Sequence, residues 1–169
     1  VEEYLSSIIP THLSAPSILN VEELLDVHIP RTHGFKVELC DNIGPDIEGI
    51  TLPLEKKMKF TTREFERIVL HVPRSLFTGA HEAYHVIDHA TQMKSWDADD
   101  WINSIALHRK KMPIYYDPEW QANYGAGALL MPKNTLEPFI SILVKRKASS
   151  EDIFYEITKA YGVSSDAAR

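Results

Sequence analysis

Residues 74–89 read Arg74-Ser75-Leu76-Phe77-Thr78-Gly79-Ala80-His81-Glu82-Ala83-Tyr84-His85-Val86-Ile87-Asp88-His89. After Pro73, Leu76, Phe77, Ala80, Tyr84 and Ile87 recur at helical spacing with Gly79 as the one weak point, so the stretch predicts a helix running to about residue 92. Positions i and i+4 share a helix face one turn apart. His81 and His85 therefore project side by side and can occupy adjacent corners of a tetrahedral Zn²⁺, with Glu82 beside them to receive a proton from an activated water. The plainer reading is two histidines satisfied by hydrogen bonds in the core or at the surface.

A zinc ion that does chemistry needs a third protein ligand and one open position. Asp117-Pro118-Glu119 is a strong helix start, with Asp as N-cap, Pro at the first position and an acid in the first turn, and the apolar run that follows is stopped by Pro132. Two antiparallel helices would bring Glu119 opposite the histidines. Its ordinary explanation, a first-turn acid favoured by the helix dipole, is compatible with that role. His89 lies about 12 Å along the axis from His81 at the helical rise, too far for all three histidines to hold one ion, so a supporting or packing role is expected for it. Asp88 is a candidate to accept a hydrogen bond from the outer nitrogen of a ligand histidine, or a plain solvent-facing acid. Asn123, one turn after Glu119, is a candidate to orient that carboxylate or a backbone carbonyl, with a surface role as the alternative.

Around these two helices the sequence predicts an α+β fold with one small, mostly antiparallel sheet packed on several helices. Residues 17–26 read as a short helix ended by Pro30. Phe35, Val37 and Leu39 alternate with polar neighbours as in a half-buried strand, and 41–45 read as a turn. Residues 49–52 and the branched stretch 65–72 are expected to be two more strands. An amphipathic helix is expected over 97–110, and another over 133–147 with Pro138 in its first turn. From 150 the pattern gives a helix, a turn at Tyr161-Gly162, and a new helix capped by Ser164 or Ser165.

The 169 residues amount to about one domain. Eighteen Lys and Arg against twenty-four Asp and Glu give a net charge of −6, which argues against direct nucleic-acid binding by this segment through phosphate charge. No apolar window approaches the eighteen or so residues of a membrane span, and the hydrophobic fraction of 44% suits a soluble globular chain. Cys40 is the only cysteine, so neither an intramolecular disulfide nor a thiolate metal cluster can form within one chain. With no basic-then-apolar leader at Val1-Glu2-Glu3, the expected location is the cytoplasm.

The block 74–89 resembles the ImmA/IrrE-type metallopeptidases, a zincin subgroup, whose theme is Arg, then Phe-Thr, then Ala-His-Glu-Leu-Gly-His. A second block, Glu119-Trp120-Gln121-Ala122-Asn123-Tyr124-Gly125-Ala126-Gly127-Ala128-Leu129-Leu130-Met131-Pro132, is similar to their Glu-x-x-Ala-Asn-x-Phe-Ala-Ala-x-Leu-Leu-Met-Pro. The resemblance is close over 74–132 and extends in outline over most of the chain. It implies a zincin-like core over 1–147 and, over 148–169, the start of a helix-turn-helix-like region expected to continue further. It also implies His81, His85 and Glu119 as Zn²⁺ ligands, Glu82 as general base, and cytoplasmic cleavage of a DNA-binding transcriptional repressor. Ala83-Tyr84 stands in place of the common Leu-Gly, and Gly125 in place of Phe. These departures suggest compensating volume changes across one packing contact.

In the endopeptidase reading Glu82 moves the proton from water to the leaving amine, and Tyr115, Tyr116, His108 and His71 are candidates to stabilise the oxyanion. Two other readings fit the same residues. One is a non-catalytic regulatory or protein/DNA-binding module with a structural or vestigial metal, and the other is a metal-dependent hydrolase of a small molecule.

Overall fold

Two helices that open on proline form the centre of the molecule. In the computed structural model, which describes residues 1–89 and 114–169, they are α5 (Pro73–Tyr84) and α6 (Pro118–Leu130). Each proline sits where a helix has no use for its N–H. For α6 the Asp117 side chain also accepts a hydrogen bond from the Glu119 N–H at 3.0 Å, as the sequence predicts. The two helices make the most extensive helix–helix contact among the described residues. The reason is the size of the residues between them, since Ala80 and Ala83 on one side and Ala122, Gly125 and Ala126 on the other are all buried.

Before them come α1 (Glu2–Ile8), a 3₁₀ turn (Pro10–Leu13), α2 (Val21–Glu23), a π-helical turn (Leu24–His28) and α3 (Ile29–His33). Asn20 caps α2, its side chain accepting from the Glu23 N–H at 3.2 Å. The helical path runs on past Pro30, contrary to the expectation that proline would end it. The widened π turn precedes Pro30, the proline enters α3 near its start, and Gly34 in left-handed backbone (φ 73°) ends the run instead. His12, buried, holds this N-terminal region to α6 through its Nε2–H, which donates to the Leu129 carbonyl at 3.0 Å.

The sheet has three strands, β1 (Lys36–Leu39), β2 (Gly49–Leu52) and β3 (Lys57–Phe60), in the order β1-β3-β2. It is mixed: β2 pairs with β3 antiparallel, Gly49 opposite Phe60, and β1 pairs with β3 in parallel, Lys36 beside Lys57. The expected strand over 65–72 is instead helix α4 (Thr62–Val69). Thr61 caps it by accepting from the Glu64 N–H at 3.1 Å, and Asp41 accepts the Thr62 N–H at 2.8 Å. Those caps, together with the i, i+4 spacing of buried Glu64 and Ile68, outweigh the branched residues that suggest a strand. The third strand is β3, where Lys57 and Lys59 alternate with buried Met58 and Phe60. Both lysines lie over Glu38, at 2.6 and 3.8 Å, so charge pairing stands in for an apolar outer face.

Beyond α6, α7 (Lys133–Lys145) contains Pro138 at its sixth residue, in the second turn rather than the first. The capping box of Ser149 and Asp152 opens α8 (Ser150–Tyr161), and Gly162 (φ 66°) closes it. Ser164 then caps one further turn, accepting from the Ala167 N–H at 3.2 Å. Ile157, Tyr161 and Val163 reach the same core as Leu24, Phe60 and Leu129. The amphipathic helix expected over 97–110 lies outside the described residues. No helix among those described is long and apolar enough to cross a membrane.

A methyl group added at Gly125 would overlap the Tyr84 ring. The two departures at 84 and 125 thus meet in one contact. Gly125→Ala is expected to cost roughly 1–3 kcal/mol or more, and Tyr84→Ala in the same chain to recover part of that loss. Denaturant unfolding of the two single variants and the double variant checks this; strictly additive losses would contradict the contact.

Candidate metal centre

The α5–α6 contact carries a polar cluster at one end. His81 projects from the last turn of α5 and His85 from the π-helical turn (His85–His89) that continues it, and their Nε2 atoms lie 3.0 Å apart. Glu119, in the first turn of α6, places Oε2 3.4 Å from His81 Nε2 and Oε1 3.5 Å from His85 Nε2. The three candidate ligand atoms all fall within 4.8 Å of one another. A tetrahedral zinc bound at 2.0–2.1 Å sets neighbouring ligand atoms about 3.3 Å apart, a spacing close to the one these side chains present.

The protons fit as well. Asn123 Oδ1 stands 3.0 Å from His81 Nδ1. An amide oxygen only accepts, so Nδ1 carries a proton, and in the neutral ring the lone pair is on Nε2, facing Glu119 and His85. Burial holds the His85 pKa down at about 3, and the attraction of Glu119 does not restore it, so this ring is neutral and available as a ligand. Burial also pulls His81 down, but the contact with the Glu119 carboxylate and the charges of Glu82 and Glu119 outweigh that and raise its pKa, so metal binding at this ring displaces a proton from Nε2. With that proton displaced, two imidazoles and one carboxylate are an ordinary donor set for a divalent zinc.

Glu82 is not part of this donor group. Only 7% exposed, it points toward β2, where Thr51 Oγ1 donates to its Oε2 at 2.7 Å. The same hydroxyl lies 3.1 Å from the Glu82 carbonyl oxygen. Burial pushes the carboxyl above the usual range for glutamate, with the Thr51 bond opposing. Space for this arrangement comes from Gly49, where a Cβ would crowd both the Phe60 ring and Glu82 Cγ.

The remaining candidates separate. Asn123 does reach the centre, but it pairs with His81 and not with the Glu119 carboxylate. His89 is buried, with Nδ1 3.0 Å from His85 Nδ1 and Nε2 2.9 Å from Gln121 Oε1. Asp88 is exposed and lies 3.6 Å from His89 Nε2, while the outer nitrogens of His81 and His85 face Asn123 and His89. His71 is exposed in left-handed backbone after α4, Tyr115 and Tyr116 are exposed in a 3₁₀ turn, and His108 lies outside the described residues. Thr51 and Gln121 were not singled out from sequence. The available signals were a polar residue at an inward position of an alternating strand, and one polar side chain two residues after Glu119.

No protein-family model matches the chain, and no curated protein matches it in sequence. Among solved structures it is similar to a Mycobacterium tuberculosis transcriptional regulator, with a TM-score of 0.50 and 15% identity over 99% of this chain and 45% of that one. The chain thus spans less than half the length of that structure, and at this identity the likeness concerns the fold. Together with the site, it describes a helix-rich α+β chain with a zincin-like His-Glu-x-x-His pair and a distal third carboxylate.

Replacing His81 or Glu119 by Ala should weaken zinc binding by more than the roughly 10–100-fold that loss of a supporting partner costs. Competition against a chromophoric chelator measures this, with circular dichroism of the metal-free chains as a control for folding. Affinity unchanged by both substitutions would place the ion elsewhere.

Proposed function

We propose that the chain is a zinc-dependent endopeptidase of the ImmA/IrrE type that cleaves a cytoplasmic transcriptional repressor at a specific site. The observation that carries this reading is Glu82: a buried carboxyl with a raised pKa, next in sequence to one of three convergent ligand atoms and outside their donor set. A site that only held a metal for structure would tend to close with a fourth protein ligand. Among the described residues the group with metal-binding spacing has three.

Zinc held by His81, His85 and Glu119 would supply Lewis-acid activation of a water and of a substrate carbonyl. Glu82 does the proton work. Its raised pKa brings the carboxylate closer to the basicity needed to take a proton from the attacking water, and the acid so formed can deliver that proton to the leaving amine nitrogen. Thr51 fixes Oε2 and leaves Oε1 for this transfer. The order β1-β3-β2 makes β2 an edge of the sheet, and the bond from Thr51 to Glu82 ties that strand to the proton-transfer group. An extended peptide pairing with β2 would have its backbone held near Glu82, which favours a peptide over a small molecule as substrate. The segment 65–72, expected as a strand, is helical and offers no such edge. The likeness in fold to a chain described as a transcriptional regulator agrees with a regulatory setting.

Zinc-loaded chain incubated with the DNA-binding repressor encoded beside its gene should yield discrete fragments by mass spectrometry. Glu82→Gln should retain zinc and cleave about 10²–10⁴-fold more slowly. Cleavage at a comparable rate by the Gln variant would contradict the assignment.

A further inference from the structure

We infer that His89 is a positioning residue that sets the proton of His85, as one link of a directed hydrogen-bond chain running from the metal centre to the backbone at Tyr115. The inference rests on the reading of His81, His85 and Glu119 as metal ligands. His85 directs Nε2 at Glu119 and His81, so ligation through that atom requires its proton on Nδ1. Nδ1 faces His89 Nδ1 at 3.0 Å. For that contact to be a hydrogen bond, His89 must offer a lone pair at Nδ1 and carry its own proton on Nε2. The partner of Nε2 agrees, since Gln121 Oε1, an acceptor, stands 2.9 Å away. Gln121 in turn donates through Nε2 to the Tyr115 carbonyl at 2.9 Å.

Every link therefore runs in one direction: His85 to His89, His89 to Gln121, Gln121 to the Tyr115 carbonyl. Reversing the first of them would set two donors or two acceptors face to face in a place where His89 is 2% exposed and water cannot easily substitute. The usual partner of a ligand histidine is a carboxylate, a backbone carbonyl or water. Here it is a neutral imidazole, so the chain orients His85 without adding negative charge to the centre. Gln121, two residues after Glu119, also joins the end of the chain to the helix that supplies the carboxylate.

A packing role makes the opposite prediction for two substitutions. His89→Phe keeps a ring against Tyr84, whose ring meets His89 edge-on at 5.7 Å, but removes the acceptor. His89→Asn loses the ring and retains an acceptor at the position of Nδ1. Zinc affinity by chelator competition is expected to fall roughly 10–100-fold in the Phe variant and to stay close to wild type in the Asn variant. The visible spectrum of the cobalt(II)-substituted chain should change in the same order. Gln121→Leu tests the chain from its other end and should weaken zinc binding. Weaker binding in the Asn than in the Phe variant, or no change in any of the three, would overturn the inference. Failure of the wild-type chain to take up zinc would overturn the reading beneath it, and the inference with it.

Discussion

Close approach of α5 and α6 is the constraint on which the rest of the molecule depends. Helix separation is set by the side chains at the contact, and here these are alanines and a glycine. That closeness lets a short carboxylate in the first turn of α6 come within 3.5 Å of imidazoles on α5. A larger side chain at 122 or 126 would move Glu119 outward and leave two histidines with no third donor. Tyr84 is a bulky group at the contact, and it is accommodated where α6 has no side chain at all.

The same closeness concentrates ionisable groups in a poorly hydrated place. Burial raises the Glu82 carboxyl and lowers His85 and His89, so these two imidazoles are held neutral while the carboxyl gains basicity; His81, facing Glu119 and Glu82, is shifted the other way. Unpaired, each of these groups would cost on the order of 1–3 kcal/mol. The contacts of Thr51, Asn123 and Gln121 offset that cost and at the same time fix which atom carries each proton. Stability and chemistry thus rest on the same hydrogen bonds.

Legibility in the sequence followed the range of the interaction. The His-Glu-x-x-His spacing and the Asp-Pro-Glu helix start are local signals, and the elements carrying His81, His85 and Glu119 lie where those signals predict. The strand at 36–39 was equally plain, because period-2 alternation with a following turn has few other readings. The segment 65–72 misled because its branched residues were weighed without the cap at Thr61, and β3 escaped because lysines on its outer face hide the alternation until Glu38 is placed beside them. Pro30 misled for another reason: a π turn before it takes up the irregularity that proline otherwise imposes as a helix end. Thr51 and Gln121 owe their roles to residues distant in sequence or on another element, and no spacing rule connects them. The departures at Tyr84 and Gly125 were the exception, since a gain and a loss of volume in facing blocks suggested a contact before any coordinates did.

The central claim is that two imidazoles and one carboxylate converge on a single ion with a position left over. Zinc-edge X-ray absorption on the chain loaded with one equivalent of metal measures this directly. Four nitrogen or oxygen neighbours at about 2.0–2.1 Å, with the outer scattering of two imidazole rings and one neighbour exchangeable by a small anion, is the result expected. Scattering from one ring or none, or a shell that no added anion alters, would contradict it.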